Sequence, residues 1–330
     1  MEEKKWSIIL SVLFLLFVYV LIHFEINARN IENSVQKLQD REVEPKKKLH
    51  FVLISQEFDN PYWRKVQEGA DVAAEKFGVN VEYIGPLRTS PEEQIKLLEK
   101  AIASQVDGII VQSLDENTFS PVINKAVSQH IPVITIDTDA PKSKRLAYVG
   151  TNNFNAGEQL GRVVVEETNG VGKIGVIIGS EKSESQQARL NGFLSIVKKH
   201  PKLVVKDIES SNISIIQAKL QTESMLRNNK DISVMVGTSA LDAIGILNAS
   251  KNLKLNQVEI FGFDNIEGTL QAVQDDSIKA TIIQKPYEMG YQSVGLLIDW
   301  LHGKVINKEN FTPTEVVTKE TLIRRRNVEN

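Results

Sequence analysis

The chain of 330 residues contains no cysteine. That absence excludes a disulfide framework, a thiolate metal site, a thiol nucleophile and a lipid anchor carried on an N-terminal cysteine. Histidine is scarce too: His23, His50, His130, His200 and His302 are scattered, and no two stand four residues apart. No cofactor and no metal site are expected from such a set, although a carboxylate-only calcium site stays open. Neither sign of charge dominates. The formal net charge is -3, and the basic runs at 46–48 and 324–326 are short and flanked by acids, so no nucleic-acid partner is expected. A phosphate loop ending in Gly-Lys-Ser or Gly-Lys-Thr is missing. The segment GVGKIG (170–175) matches the dinucleotide fingerprint in letters only, because it precedes a strand pattern instead of following one.

Long apolar runs are also lacking, with one exception. Residues 7–24 form a run of about 18 residues, the lower limit for crossing a hydrocarbon core of about 30 Å. Lys4 and Lys5 precede it, which by the positive-inside tendency places residues 1–6 in the cytoplasm and the rest of the chain outside. A cleaved signal peptide is the rival reading. The run is longer than a usual signal core, and Phe24-Glu25-Ile26-Asn27 is a poor small-residue cleavage site, so an uncleaved single-pass anchor is expected. Residues 25–48 are polar and read as a plain tether. Ile31, Val35 and Leu38 recur at helical spacing there, and Pro45 with the lysines at 46–48 breaks the pattern.

From residue 49 the chain alternates Val- and Ile-rich runs with helical patterns. Nine runs read as strands: 49–55, 79–85, 106–112, 132–137, 173–179, 203–209, 232–237, 258–264 and 279–284. Repeated strand–helix–strand units imply parallel sheets covered by helices on both faces. The fold class expected is α/β, with two doubly wound, Rossmann-like lobes of similar plan. In such folds ligands gather beyond the carboxyl ends of the strands. The residues just past those ends are FDNPYW (58–63), Asp137-Thr138-Asp139, the segment 183–189, Thr238-Ser239, Asp264-Asn265 and Gln284-Lys285. Carboxylates, amides and hydroxyls beside aromatic rings suit a sugar: its hydroxyls pair with the polar groups and its C–H face packs on a ring.

Several motifs in order carry a family resemblance: FDNPYWRKVQEGA (58–70), DGIIVQ (107–112), IPVITIDTDA (131–140), YVGTNNFNAGEQLG (148–161), ARLNGF (188–193), IFGFDN (260–265) and KATIIQKPYEMG (279–290). From about residue 49 to 320 the chain resembles the type I periplasmic sugar-binding proteins of the ribose- and galactose-binding group. Within that group it looks like the membrane-anchored xylose-binding partners of sensor histidine kinases. The resemblance implies ligand roles for Asn60, for the aromatic pair Tyr62 and Trp63, for Asp137, Asp264 and the hinge glutamine Gln284. Thr138 and Gln187 fall where ribose binders carry arginines, and Ser239 falls where they carry an asparagine. Arg189 matches an RxxGF arginine that is more often structural. Losing two fork donors leaves the ligand open among xylose, galactose, ribose and other neutral monosaccharides or small polyols. The resemblance further implies a segment-swapped layout: 49–152 with 286–313 in one lobe, 153–285 with 314–330 in the other, and a hinge of three crossovers.

Each of these residues also has a plainer reading. Tyr62 and Trp63 begin an apolar-periodic helix and could be core residues. Asp137 and Asp264 could cap loops, Gln284 could bond backbone, and Asp139 and Asp242 read as solvated or capping. Four functions compete. A binding protein could relay sugar occupancy to a membrane sensor histidine kinase, or deliver sugar to an ABC permease; the anchor favours the former. A sugar-responsive repressor would need a helix-turn-helix where the apolar run stands. An enzyme could use Asp137 and Asp264 as acid and base, but no further motif supports it, so no enzymatic activity is expected.

Overall fold

The computed structural model describes residues 2–39 and 48–329. The described residues of the first unit, residues 1–48, include the helix α1 (Glu2–Gln39). The apolar run 7–24 lies wholly inside it. The stretch Phe14–Asn33 has the length and apolarity to cross a membrane, a property that anchors share with signal sequences. The polar stretch read as a plain tether is helical as far as Gln39. No glycine or proline interrupts it there, and Glu25 pairs with Arg29 one turn on at 3.2 Å. Pro45 and the lysines at 46 and 47 lie outside the described residues.

The second unit runs from residue 49 to the C-terminus. Its first part contains β1 (His50–Ile54), α2 (Pro61–Phe77), β2 (Asn80–Ile84), α3 (Pro91–Ala103), β3 (Gly108–Val111), α4 (Glu116–Ser128), β4 (Val133–Ile136) and β5 (Ala147–Thr151). Then come α5 (Asn153–Glu167), β6 (Gly172–Ile178), α6 (Glu184–Val197), β7 (Leu203–Ser210), α7 (Ile215–Asn228), β8 (Val234–Gly237), α8 (Asp242–Leu253), β9 (Glu259–Phe263), α9 (Glu267–Gln274) and β10 (Ala280–Ile283). The chain ends with α10 (Pro286–Leu301), β11 (Glu309–Thr312), β12 (Glu315–Thr318) and α11 (Lys319–Glu329).

Two six-stranded sheets result, in the orders β11-β5-β4-β3-β1-β2 and β12-β10-β9-β8-β6-β7. The orders correspond strand for strand, so each lobe is the same doubly wound plan used once. All pairings are parallel except that of β10 with β12. Central strands β3, β4, β8 and β10 are buried at every position, as strands covered on both faces require. The chain crosses between lobes three times: between β5 and α5, between β10 and α10, and between β11 and β12. The last two follow because α10 packs on α2 and β11 pairs with β5. β5, β11 and β12 were absent from the nine apolar runs. β11 and β12 are four residues each, separated by Pro313-Thr314, too short and too polar for periodicity to reveal.

Helix boundaries follow local chemistry. Asn60 caps α2 by accepting from the Tyr62 amide at 3.0 Å, with Pro61 at the first helical position. Ser90 caps α3 by accepting from the Glu93 amide at 3.2 Å. Each lobe has one tight helix crossing built on glycine. A Cβ added to Gly69 of α2 or Gly290 of α10 would stand 1.9 Å from a carbonyl oxygen of the other helix. The same holds for Gly157 of α5, at 1.9 Å from the Arg189 carbonyl oxygen. These crossings hold the starts of α2 and α6, which carry ligand-side residues, close to the hinge.

Candidate functional site

The strand ends of the two sheets face one another across a cleft lined by residues of both lobes. Gln56, Asn60, Tyr62, Trp63 and Asp137 line it from the first lobe. Ser185, Gln186, Arg189, Ser239 and Asp264 line it from the second, and Gln284 closes it at the hinge.

Two aspartates organise this cleft. Asp137 is the first residue after β4 and Asp264 the first after β9, equivalent strands of the two sheets. Their φ angles are 64° and 65°, left-handed values that Asp tolerates better than most side chains. Each backbone amide still bonds the neighbouring strand, Asp137 to the Val149 carbonyl at 3.0 Å and Asp264 to the Ile282 carbonyl at 2.7 Å. The left-handed turn therefore aims each carboxylate off the sheet end and into the cleft.

Asp137 Oδ1 accepts from the Tyr62 hydroxyl at 2.7 Å, and its Oδ2 from Gln112 Nε2 at 2.7 Å and the Thr138 hydroxyl at 3.3 Å. Asp264 Oδ1 accepts from Gln284 Nε2 at 2.8 Å, while Gln284 Oε1 accepts from the Thr151 hydroxyl at 2.7 Å. This chain ties the second-lobe carboxylate through the hinge glutamine to a first-lobe strand. Arg189 is buried, its guanidinium stacked 3.5 Å from the Phe263 ring centroid. It donates to Asn153 Oδ1 at 2.7 Å and to the Thr238 carbonyl. The Nε of Arg189 and the Oγ of Ser239 have no partner within the protein.

Burial pushes Asp264 up to about 6, with Asp137 adding to the rise and Arg189 and Gln284 opposing it. Asp137 is also raised by burial, against the pull of Tyr62, Arg189 and Gln112. Burial and the neighbouring Asp137 carboxylate hold the Tyr62 phenol well above its ordinary value, so it stays a neutral donor. Burial lowers Arg189, and Asp264 and Asp137 hold its charge in place.

The structure brings most of the sequence-predicted residues together: Asn60, Tyr62, Trp63, Asp137, Arg189, Ser239, Asp264 and Gln284 all line the cleft. Trp63 does so while only 2% exposed and packed in the first-lobe core. Two positions fall elsewhere. Gln187 points away from the cleft and donates to the Glu181 carbonyl at 3.0 Å. Gln186, one residue earlier on α6, takes the inward place and accepts from the Thr238 hydroxyl at 2.8 Å. One residue is about 100° of helix, so a register error of one turns a side chain out of the site. Thr138 lies behind Asp137, fully buried, where its hydroxyl meets Ser185 Oγ across the lobes at 2.9 Å.

Asp242, read as solvated or capping, is fully buried. It accepts from the Ser239 amide at 2.8 Å, the Thr238 amide at 3.2 Å and the Ser211 hydroxyl at 2.6 Å, and so fixes the loop that presents Ser239. Asp139 is paired with Arg145 rather than solvated. Gln56 and Ser185 escaped the sequence reading as ligand-side residues. Gln56 lies two residues past β1, and Ser185 lies inside the flagged strand-end segment 183–189, so the strand-end rule points at both. Ile213, also in the wall, lies in the short loop between β7 and α7, and its apolar side chain gave no polar strand-end signal.

Two matching sheets, three crossovers and a polar cleft with aromatic walls define a two-lobed fold with its candidate site between the lobes. Residues 51–304 match the periplasmic binding protein domain model, and the chain belongs to that family, among its type I sugar-binding members. It is similar to GanP, a glucose-galactose binding protein from Geobacillus stearothermophilus, at 42% identity and a TM-score of 0.82, covering 84% of this chain and 99% of that one. XylFII in the XylFII-LytSN complex is 35% identical with a TM-score of 0.79, covering 83% of this chain and 98% of that one. The ribose import binding protein RbsB of Bacillus subtilis (strain 168) is 24% identical over 83% of this chain and 89% of its own length.

Proposed function

We propose that the protein binds one neutral monosaccharide between its lobes, outside the membrane, and reports occupancy by lobe closure. The observation that carries this reading is that Asp137 of one lobe and Asp264 and Arg189 of the other line the same cleft. Two carboxylates and one guanidinium give the cleft a net negative character, which disfavours anionic ligands and suits hydroxyl donors. The unpartnered Arg189 Nε and Ser239 Oγ offer a donor and a hydroxyl to ligand oxygens. Tyr62 and Trp63 supply the apolar wall. Closure acts as a signal because a ligand touching both lobes binds the closed form better than the open one.

The binding domain stands on α1 as a single-pass anchor, and the partner is a membrane sensor histidine kinase. The likeness to XylFII in its complex with LytSN supports the kinase reading. The relatives named for ribose import support the second reading, a substrate-binding component of an ABC transporter. An enzymatic role has no support in the cleft beyond the two acids; incubating the protein with aryl glycosides should give no turnover.

Calorimetric titration with neutral pentoses and hexoses, and in parallel with their uronic acids, tests the ligand class. One-site binding of a neutral sugar is expected, and the matching acid should bind at least about 100-fold more weakly, or about 2.7 kcal/mol. Preference for the acid would overturn the reading. Detergent extraction followed by affinity purification tests the partner: a co-purifying kinase supports relay, and a co-purifying permease supports transport.

A further inference from the structure

Both oxygens of Asp137 accept from side chains of its own lobe. The Tyr62 hydroxyl lies 2.7 Å from Oδ1, and Gln112 Nε2 lies 2.7 Å from Oδ2. In the second lobe, Arg189 Nε and Ser239 Oγ of the cleft wall are unpartnered. A ligand hydroxyl therefore finds open partners on the second lobe. On the first lobe, the Tyr62 hydroxyl already stands in the place of one.

That hydroxyl is held firmly. Tyr62 sits in the first turn of α2, with its amide bonded to the Asn60 cap at 3.0 Å. Its ring meets the buried Trp63 edge-on, centroids 5.7 Å apart, and its oxygen also lies 3.4 Å from Met289 Sδ. Moving the ring aside would give up its packing on Trp63 and its bond to Asp137, and a ligand would have to offset both.

We propose that Tyr62 determines which sugars the cleft accepts: its hydroxyl fills the position on Asp137 that a ligand hydroxymethyl hydroxyl would otherwise reach, selecting pentopyranoses over the matching hexopyranoses. The inference rests on the monosaccharide reading above. Similar proteins are named for both hexoses and pentoses, so family membership does not decide the question. Removing the Tyr62 hydroxyl leaves a recessed carboxylate oxygen one donor short and opens a small void beside it. A ligand with an additional hydroxymethyl group can supply both the donor and the volume, whereas its shorter counterpart can supply neither.

The test uses sugar pairs of identical ring configuration that differ by one hydroxymethyl group: D-xylose with D-glucose, and L-arabinose with D-galactose. Each is titrated calorimetrically into the full chain and into Tyr62→Phe, with melting temperatures confirming that both are folded. The parent is expected to bind the pentose of its preferred pair more tightly. In Tyr62→Phe the hexose-to-pentose affinity ratio should rise at least about 10-fold. A parent that prefers the hexose, or a ratio that moves less than about twofold, overturns the inference while leaving the monosaccharide reading intact. Loss of all binding in a folded Tyr62→Phe also overturns it, since the hydroxyl would then be a ligand contact. If the parent binds no member of either pair or of the wider neutral-sugar panel, the monosaccharide reading fails and the inference with it.

Discussion

Asp242 and Asp264 are both buried carboxyls pushed up to about 6 from an ordinary 3.8, in each case mainly by burial. A raised folded-state value means that the folded chain holds its proton more tightly than the unfolded chain. The stability linked to each group is therefore fully present below about pH 4 and lost as pH rises through about 6. A shift of this size corresponds to roughly 3 kcal/mol per group. Asp242→Asn removes that dependence at one site while its amide oxygen can still accept from Thr238 and Ser239. Melting curves between pH 4 and pH 7 should show the variant gaining on the parent as pH rises. A difference that stays constant across that range would mean that Asp242 does not titrate there. At this scale the sequence was informative wherever a strand ended in a polar residue, which is how Asp137, Asp264, Ser239 and Gln284 were found. It failed at Gln187, because no pattern in 183–189 fixes which of two adjacent glutamines faces inward. Nor could it show that Asp242 is buried, since two of its partners are backbone amides that any sequence supplies and the third, Ser211, lies 31 residues away.

At the scale of elements, the glycines of α10 have opposite expected effects. Glycine in a helix interior is worse than alanine by about 1 kcal/mol, so replacement normally stabilises. Gly295 follows that rule, because an added Cβ would meet only the Phe77 ring at an ordinary 3.8 Å. Gly290 does not, because its Cβ would stand 1.9 Å from the Val66 carbonyl oxygen. Gly290→Ala should destabilise by about 1–3 kcal/mol, and Gly295→Ala should stabilise by about 0.5–1 kcal/mol. Urea denaturation of the two variants checks both signs. The motif containing Gly290 was visible in the sequence, but its cause was not: the close approach is to α2, more than two hundred residues earlier. Likewise the parallel α/β plan was legible from nine apolar runs, whereas β11 and β12 form only because the crossing chain meets each sheet edge.

In the second unit, from residue 49 on, two lobes share one plan and face each other with equivalent strand ends. Direct bonds bridge the lobes on both sides of the cleft: Thr138 to Ser185, and Thr151 to Gln284 through the hinge. If the lobes open and close as proposed, these bonds favour the closed form. Thr138→Val removes one of these bridges. Small-angle scattering of that variant should show a larger ligand-free radius than the parent and an unchanged ligand-bound radius. Equal ligand-free radii would exclude the Thr138–Ser185 contact as a closing force. If α1 acts as an anchor, the chain should stay with membranes through a carbonate wash, and a chain lacking residues 1–39 should not.

The central claim is that Asp137 and Asp264, facing one another from equivalent strand ends, hold a neutral sugar between the lobes. Calorimetric titration of the parent, Asp137→Ala and Asp264→Ala with the best sugar of the panel tests it most directly. The account predicts one site in the parent and at least about 100-fold weaker binding in each folded variant. Unchanged affinity in both variants would contradict it.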